Sequence, residues 1–295
     1  MTIKYFSMFS GIGGFEVGMH NSKYKDELEC VGFSEVNNYA ISIYSRWFPN
    51  HRNYGDATTI DTSELDDFSL LIGGFPCQSF SIAGEQKGFN DTRGTLFFEI
   101  ARVLQDKKPQ YFLLENVKGL LSNNKGKTFK KILGICDELG YDVSWETHNS
   151  KNYGVPQNRE RLFLKGYFRE RCGDEILLAQ RKGKKVDELK LNQMNNQHKR
   201  SFGDRVYNPT GLARTLCGET GDKTGLYGFD NLTVRRLTPL ECERLQGFND
   251  EYTKYGKDGE LISDTQRYRC LGNAVTTNVI EYIFNNWDLN VKEKS

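Results

Sequence analysis

The sequence predicts an α/β protein built on an open, doubly wound and mostly parallel sheet. Up to Tyr167, short apolar runs alternate with amphipathic stretches of helical spacing. A glycine-rich turn follows the first apolar run, and polar residues follow several of the others. Alternation of this kind favours parallel strands with helices on both faces. Such sheets bind their ligands at the carboxyl ends of the strands.

Five apolar runs are predicted as strands, at residues 3–9, 29–34, 69–72, 111–114 and 161–164. Four stretches between them have apolar residues at helical spacing, at residues 15–20, 39–48, 96–104 and 128–139. A further helix is predicted at residues 238–246, where Thr238 can cap and Glu241 follows three residues later. The last helix is predicted at about residues 273–284, with an apolar face that docks on the core.

Charge gives little guidance for the chain as a whole. Among the 295 residues are 40 Lys or Arg and 39 Asp or Glu, so the net charge is +1 and any nucleic-acid surface must be local. Residues 165–205 hold eleven Lys or Arg against six Asp or Glu, a run whose usual meaning is a solvated surface. Residues 208–229 are rich in glycine and resemble a loop.

Cysteine usage and hydropathy predict a soluble, intracellular chain. No run has the apolar length of a membrane span, and the N-terminus lacks the apolar core of a signal peptide. The seven cysteines are widely scattered, odd in number and without a C-x-x-C pair. We therefore expect reduced thiols, with neither a disulfide framework nor a zinc site.

One cysteine stands in an unusual setting. Cys77 follows an apolar run, two glycines, Phe75 and Pro76, and small polar residues come after it. Proline fixes its own φ and biases its neighbour toward extended geometry, so the thiol is expected to be presented at the end of a strand as a nucleophile. A buried structural thiol is the alternative, because unpaired cysteines are among the most buried residues.

Glycines and acids after the early strands indicate a ligand at the sheet edge. The turn at residues 9–15 allows the backbone to approach a ligand closely, although a plain tight turn explains it equally well. Glu35 ends the second strand, where a carboxylate can accept both hydroxyls of a ribose. Asp56 is expected after a third strand, within reach of an adenine amino group. Either acid can instead serve as a turn former.

Another carboxylate and two arginines follow later strands. Glu115 is expected just after the strand at residues 111–114, on the same edge as Cys77, where an apolar wall raises its pKa and enables proton donation to a ring nitrogen. A cap for the next helix is the alternative. Arg159 and Arg161 precede the strand at 161–164, where a guanidinium can hold a carbonyl oxygen or brace a carboxylate.

Taken in chain order, these motifs resemble those of the bacterial DNA (cytosine-5) methyltransferases. The resemblance covers nearly the whole chain except about residues 166–201. It rests on Phe-Ser-Gly-Ile-Gly-Gly-Phe at 9–15, the Pro-Cys segment at 73–81, Arg-Gly-Thr-Leu-Phe-Phe at 93–98, Glu-Asn-Val at 115–117, Gln-Asn-Arg-Glu-Arg at 157–161, the segment at 236–248 and Gly-Asn-Ala-Val at 272–275.

The resemblance implies catalytic roles for four residues. Cys77 would add to C6 of a cytosine that has been flipped out of duplex DNA. Glu115 would contact N3 and the exocyclic amine, Arg161 would hold the O2 atom, and Arg159 would steady the site. The methyl group would come from S-adenosyl-L-methionine and pass to C5.

It also implies binding residues and a fold, a Rossmann-like S-adenosylmethionine-dependent methyltransferase domain with a smaller target-recognition domain. The cofactor pocket would comprise Phe9, Gly11, Gly13, Glu35, Val36, Asp56, Ala57, Phe75, Pro76, Leu96, Asn273 and Val275. DNA contacts would come from Gln78, Ser81, Arg93, Arg205 and Thr215. No metal is implied. Val36 stands where several relatives have an aromatic residue, which predicts a weaker wall on that side of the cofactor pocket.

The expected domains are residues 1–168 for catalysis and 169–269 for target recognition, with 270–295 returning to the catalytic domain. A cytoplasmic monomer of bacterial or phage origin is expected, acting on double-stranded DNA in a restriction-modification system whose cognate endonuclease forms no stable complex with it. Two alternatives remain open: a tRNA cytosine-5 methyltransferase of the same fold and a catalytically silent DNA-binding homologue.

Overall fold

A six-stranded sheet forms the centre of the protein. The computed structural model describes residues 2–76, 96–172, 206–207, 212–216, 226–229 and 233–291. The strand order is β2-β1-β3-β4-β7-β5, and only β7 runs antiparallel to its neighbours. The strands are β1 (Ile3–Met8), β2 (Leu28–Ser34), β3 (Leu70–Gly74), β4 (Tyr111–Val117), β5 (Tyr141–Asn149) and β7 (Glu160–Phe168). The predicted mostly parallel sheet is confirmed.

Eight α-helices are described, and four of them pack on this sheet, two on each face. The eight are α1 (Gly14–His20), α2 (Asn38–Trp47), α3 (Leu96–Lys107), α4 (Lys127–Glu138), α5 (Arg169–Cys172), α6 (Pro239–Gln246), α7 (Asp264–Asn273) and α8 (Thr277–Asn285). Helices α3 and α4 pack on one face of the sheet, and α1 and α8 pack on the other. Short strands form two further sheets, with order β11-β10-β8 and β6-β9: β6 (Gln157–Asn158), β8 (Val206–Tyr207), β9 (Ala213–Arg214), β10 (Leu226–Phe229) and β11 (Thr233–Arg236).

The central strands alternate their side chains between two apolar cores. On β1, Phe6 joins the cluster beneath α3 and α4, whereas Tyr5 joins the cluster beneath α1 and α8. Helices α1 and α8 approach each other closely at Gly18, where an added Cβ would lie 2.5 Å from Cβ of Ile280. Because both faces of the central strands are buried, these strands are mostly apolar in sequence, which is why they could be predicted.

The structure differs from the predictions at four of these elements. Strand β4 extends through Val117, so Glu115 lies within the strand and the alternative of a helix cap is wrong. The terminal helix starts at Thr277 rather than near 273, because Ala274 is extended and separates it from α7. Neither β5 nor α7 was predicted. The capping box of Thr238 and Glu241 is confirmed at the start of α6.

Within the described residues, no helix combines the length and apolar character needed to span a bilayer.

A buried carboxyl lies on α1 behind the glycine turn. Tyr44 Oη donates a 3.1 Å hydrogen bond to Oε1 of Glu16 and lies 3.0 Å from Nδ1 of His51. Burial raises the pKa of Glu16 from 4.5 to about 7, and it lowers the pKa of His51 from 6.5 to about 4. The uncharged forms of both groups are therefore favoured in the folded protein.

We expect Glu16→Gln to change how stability depends on pH. Between pH 4.5 and 7, the unfolded chain ionises Glu16 while the folded chain keeps its proton, so this group's contribution to stability falls as pH rises. The full loss is on the order of 3 kcal/mol. Urea unfolding at pH 5 and pH 8 should show the variant gaining stability relative to the wild type at the higher pH. His51 has the opposite dependence but is common to both proteins, so an unchanged difference between them would contradict the assignment.

Candidate active site

The turn after β1 is tied to the end of β2 through one carboxylate. Gly11 N donates a 2.9 Å hydrogen bond to Oε2 of Glu35, and the amides of Val36 and Asn37 each donate at 2.9 Å to Oε1. Glu35 therefore also stabilises its own turn, as the alternative interpretation held. Two carboxylate oxygens offer about four acceptor positions, so capacity remains for a ligand hydroxyl.

The surroundings of this carboxylate fit a ligand with apolar and polar parts. Gly11 has φ +56°, and an added Cβ there would meet no atom within 4 Å. Val36 is 64% exposed although it is apolar, and Phe9 takes a left-handed backbone with φ 54°. The Ser10 hydroxyl is buried without a hydrogen-bond partner among the described residues. This edge thus offers open space at Gly11, apolar surface at Val36 and a hydroxyl at Ser10 that is unpaired within the described part of the chain. Together these features suit a nucleoside such as that of S-adenosylmethionine.

Asp56 lies in a segment beside β2, but its position in the strand order differs from the predicted one. Asp56 precedes β3 instead of following a third strand, and a bridge between Phe33 and Asn53 brings the segment beside β2. Its Oδ1 accepts 2.9 Å hydrogen bonds from the amide and the hydroxyl of Thr58, which is the behaviour of a turn former. Ala57 is buried beside it.

The remaining predicted cofactor residues occupy different environments. Gly13 is needed for packing, because its added Cβ would lie 2.8 Å from the Phe48 ring. Val275 is buried and packs against Gly14. Asn273 is exposed at the end of α7, and Leu96 is partly buried as the first residue of α3.

The residues that precede Cys77 are hydrogen-bonded to β4. Asn116 is buried, and its Nδ2 donates a 2.8 Å hydrogen bond to the Phe75 carbonyl. Phe75 itself is buried against Phe97, whereas Pro76 is exposed. This amide holds the end of β3 against β4 two residues before the predicted nucleophile.

Glu115 and Arg161 form an ion pair at the carboxyl edge of β3 and β4. Arg161 Nε lies 2.9 Å from Glu115 Oε1, and both side chains are about 15% exposed. An added Cβ at Gly74 would lie 3.2 Å from Glu115 Oε2, so this glycine leaves room for the carboxylate. Burial raises the pKa of Glu115, and the guanidinium groups of Arg161 and Arg159 limit the rise. A carboxyl in this state can hold a proton for transfer more readily than an exposed one.

Arg159 binds backbone carbonyls in the interior. Its guanidinium donates to the carbonyls of Leu216 at 3.0 Å, Gly272 at 3.1 Å and Ala274 at 2.7 Å. The same side chain thus connects the β6–β7 segment with the β9 segment and the turn after α7. The geometry supports a steadying role through neighbouring segments.

Among the residues predicted to contact DNA, only Thr215 lies in the described structure. Its hydroxyl donates a 2.7 Å hydrogen bond to the Asn158 carbonyl, beside the turn that carries Arg159. Five predicted site residues lie outside the described residues: Cys77, Gln78, Ser81, Arg93 and Arg205.

Two residues that sequence reasoning missed support the site. Asn116 is one of them. The available sequence signal was an asparagine directly after the predicted carboxylate, and its hydrogen bond to Phe75 became visible only in the structure. Arg102 on α3 is the other, since it donates to the carbonyls of Ile60 at 2.8 Å and Ala57 at 2.9 Å and so holds the Asp56 segment. No local pattern indicated Arg102, because its partners lie about forty residues away.

A doubly wound sheet with a glycine turn, a carboxylate and a Glu–Arg pair at the carboxyl ends of its strands is typical of a protein that binds a nucleotide-like ligand there. The sequence profile of the family described as C-5 cytosine-specific DNA methylase matches residues 3–209 and 176–288. The chain belongs to this family and is a DNA cytosine-5 methyltransferase.

Individual relatives agree with the family assignment. Type II methyltransferase M1.ScrFI of Lactococcus lactis subsp. cremoris is 34% identical over 99% of this chain and 79% of its own length. Type II methyltransferase M.HhaI of Haemophilus parahaemolyticus is 32% identical over 95% of this chain and 93% of its own.

Solved structures share the fold. The Dnmt2 methyltransferase of S. pombe superposes with a TM-score of 0.70 over 96% of this chain and 98% of that chain, at 20% identity. The methyltransferase EhMeth of Entamoeba histolytica has a TM-score of 0.65 over 96% and 97%, at 19% identity.

Proposed function

We propose that this protein methylates C5 of a cytosine within a short sequence of duplex DNA, with S-adenosylmethionine as donor. One observation carries the proposal: the Glu115–Arg161 pair lies beside Gly74, and the chain runs from there through Phe75 and Pro76 into Cys77. A carboxyl and a guanidinium therefore lie at the edge of the sheet where the described chain ends, one residue before Cys77.

In the proposed mechanism, the Cys77 thiolate forms a bond to C6 of the flipped cytosine. Glu115 donates a hydrogen bond or proton to N3, which makes C6 electrophilic, and addition of the thiolate then leaves an enamine whose C5 is nucleophilic. Arg161 keeps Glu115 oriented and binds O2. When S-adenosylmethionine is bound, C5 would take its methyl group as the bond between that group and the donor sulfur breaks. Loss of the C5 proton to a base would then break the C6–sulfur bond and return the thiolate.

The residues around Gly11 are proposed to hold the donor. When bound, S-adenosylmethionine supplies a methyl group activated by the positive charge on sulfur. Glu35 would accept the ribose hydroxyls, Phe9 and Val36 would contact the base, and Asp56 would take its amino group. Gly13, Ala57, Phe75, Pro76, Leu96, Asn273 and Val275 complete the proposed pocket.

We also propose the arrangement around this reaction. Residues 1–168 would form the catalytic domain, 169–269 the target-recognition domain and 270–295 the return to the first. Arg205 would contact a guanine, because bidentate pairing of arginine with guanine is the commonest specific contact. Gln78, Ser81, Arg93 and Thr215 would complete the DNA contacts. The enzyme would be a cytoplasmic monomer of bacterial or phage origin, paired with a separate endonuclease.

The test uses purified full-length protein and donor labelled on the methyl group. Duplex DNA, single-stranded DNA and tRNA are offered in parallel, and bisulfite sequencing then locates the modified base. We expect label in duplex DNA, at C5 of cytosines in one recurrent sequence. Preferential label in tRNA would favour the tRNA alternative, and no label in any substrate would favour the catalytically silent one.

A further inference from the structure

Five exposed lysines lie in the segment that follows β4, between residues 118 and 131. We call them the lysine surface: Lys118, Lys125, Lys127, Lys130 and Lys131. The chain contains no acidic residue between Asn116 and Cys136, so nothing within this stretch offsets the five positive charges. The whole chain has a net charge of only +1, so this short stretch carries a local excess of positive charge.

The lysine surface begins at the carboxyl edge of the sheet. Lys118 directly follows β4, whose last residue, Val117, pairs with Arg161. Two short 3-10 helices, Lys118–Leu121 and Asn123–Gly126, then lead into α4. The lysines of α4 lie within its first five residues, about 6 Å along the helix axis at 1.5 Å per residue. The surface therefore flanks the edge where the cytosine is proposed to react.

Neighbouring groups leave much of this charge uncompensated. Lys118 Nζ lies 3.0 Å from Oε2 of Glu160, and Lys131 lies 5.7 Å from the centre of the Phe98 ring. Within the described parts of the chain, no ion pair is recorded for Lys125, Lys127 or Lys130. Lys127 and Lys131 are four residues apart on one helix, so they repel each other.

The local electrostatics are unfavourable in the isolated protein. The first turn of α4 contains no acidic residue, although the positive end of a helix dipole favours anionic side chains there. Basic side chains occupy these positions instead, which destabilises the start of the helix. An anionic partner bound there would offset this destabilisation. Residues that conflict with local preferences, such as lysines at the start of a helix, are expected at functional surfaces.

We propose that the lysine surface binds backbone phosphates of the DNA duplex beside the flipped cytosine. This inference rests on the proposed function, because it takes its partner from it. Lysine ammonium groups bind phosphates as point charges without reading sequence. The surface would supply affinity and position the duplex, while base reading would fall to the target-recognition segment.

The test compares the wild type with a variant carrying Lys125→Gln, Lys127→Gln and Lys130→Gln. These three are exposed and have no recorded partner within the described structure, whereas Lys118 and Lys131 are left in place because of Glu160 and Phe98. Fluorescence anisotropy of labelled duplex DNA is measured from 50 to 300 mM NaCl. Steady-state kinetics gives KM for DNA, KM for S-adenosylmethionine and kcat.

We expect roughly a fivefold loss of DNA affinity at 0.15 M salt for each phosphate contact removed, and a salt dependence shallower by about 0.9 per contact. KM for DNA should rise in parallel. KM for S-adenosylmethionine and kcat at saturating DNA should stay unchanged, because the donor pocket and the reacting groups are not altered. Thermal unfolding should confirm that both proteins remain folded.

A control variant carries Lys4→Gln, Lys23→Gln and Lys25→Gln, which remove the same formal charge near the amino ends of β1 and β2. Lys4 and Lys23 form exposed ion pairs with Glu29 and Asp288, so thermal unfolding is measured for this variant as well. The control should retain wild-type affinity and salt dependence. Equal losses of DNA affinity in both variants, or no loss in the first, would overturn the proposal that the lysine surface binds DNA phosphates. Methylation of DNA by the wild type tests the proposed function separately, and its absence would count against that function. Normal methylation by the wild type together with unchanged DNA affinity of the lysine variant would count against phosphate binding by the lysine surface alone.

Discussion

Cys77→Ser is expected to abolish methylation, lowering turnover by a factor of roughly 10³ or more. A serine hydroxyl occupies nearly the same volume but is hardly ionised near neutral pH, so it cannot replace a thiolate as the nucleophile. Transfer of labelled methyl groups to duplex DNA measures the loss. Trapping with DNA that contains 5-fluorocytosine should give a covalent complex with the wild type and none with the variant.

Cys30→Ser serves as the matched control for this experiment. Burial raises the pKa of the Cys30 thiol to about 12, and its Sγ donates a 3.4 Å hydrogen bond to the Gly32 carbonyl. The Cys30 thiol therefore stays protonated and should contribute nothing to turnover. Full methyl transfer by Cys77→Ser would refute the nucleophile assignment, as would an equal loss in Cys30→Ser with both proteins folded.

Glu115→Gln should lower kcat by roughly 10² to 10⁴, the range expected when a general acid is removed. The amide has nearly the same shape as the carboxyl, but it cannot deliver a proton to N3 and leaves Arg161 without its anionic partner. KM for S-adenosylmethionine should change little, because Glu35 and Gly11 lie at the ends of other strands. Single-turnover measurements with excess enzyme separate this chemical effect from slower DNA binding.

Glu160→Gln is the control for the second prediction. Glu160 precedes Arg161, but it is exposed and pairs with Lys118 at 3.0 Å. An exposed pair of this kind contributes at most about 1 kcal/mol. Its loss should leave single-turnover rates within a few-fold of the wild type. A Glu115→Gln enzyme as active as this control would show that the carboxyl takes no part in proton transfer.

Much of the sheet could be predicted from sequence because its strands are buried on both faces. The apolar runs of β3 and β4 are continuous, and that of β1 is interrupted only by Lys4 and Ser7, while the polar residues that follow mark the carboxyl edge. Strand β5 lies at the edge of the sheet and mixes exposed and buried residues, so no clean period indicated it. Helix α7 has only three buried residues at its end, too few to define an apolar face.

The amino-acid sequence by itself determined the family, the sheet and the residue types that the reaction needs, because these depend on local periodicity and on motifs in a recognisable order. Tertiary structure alone decided that Glu115 meets Arg161, that Asn116 holds Phe75 and that Arg159 joins three distant segments. Those contacts connect residues from about 40 to 115 positions apart. Their geometry follows from how strands and turns pack in three dimensions, and no sequence window encodes it.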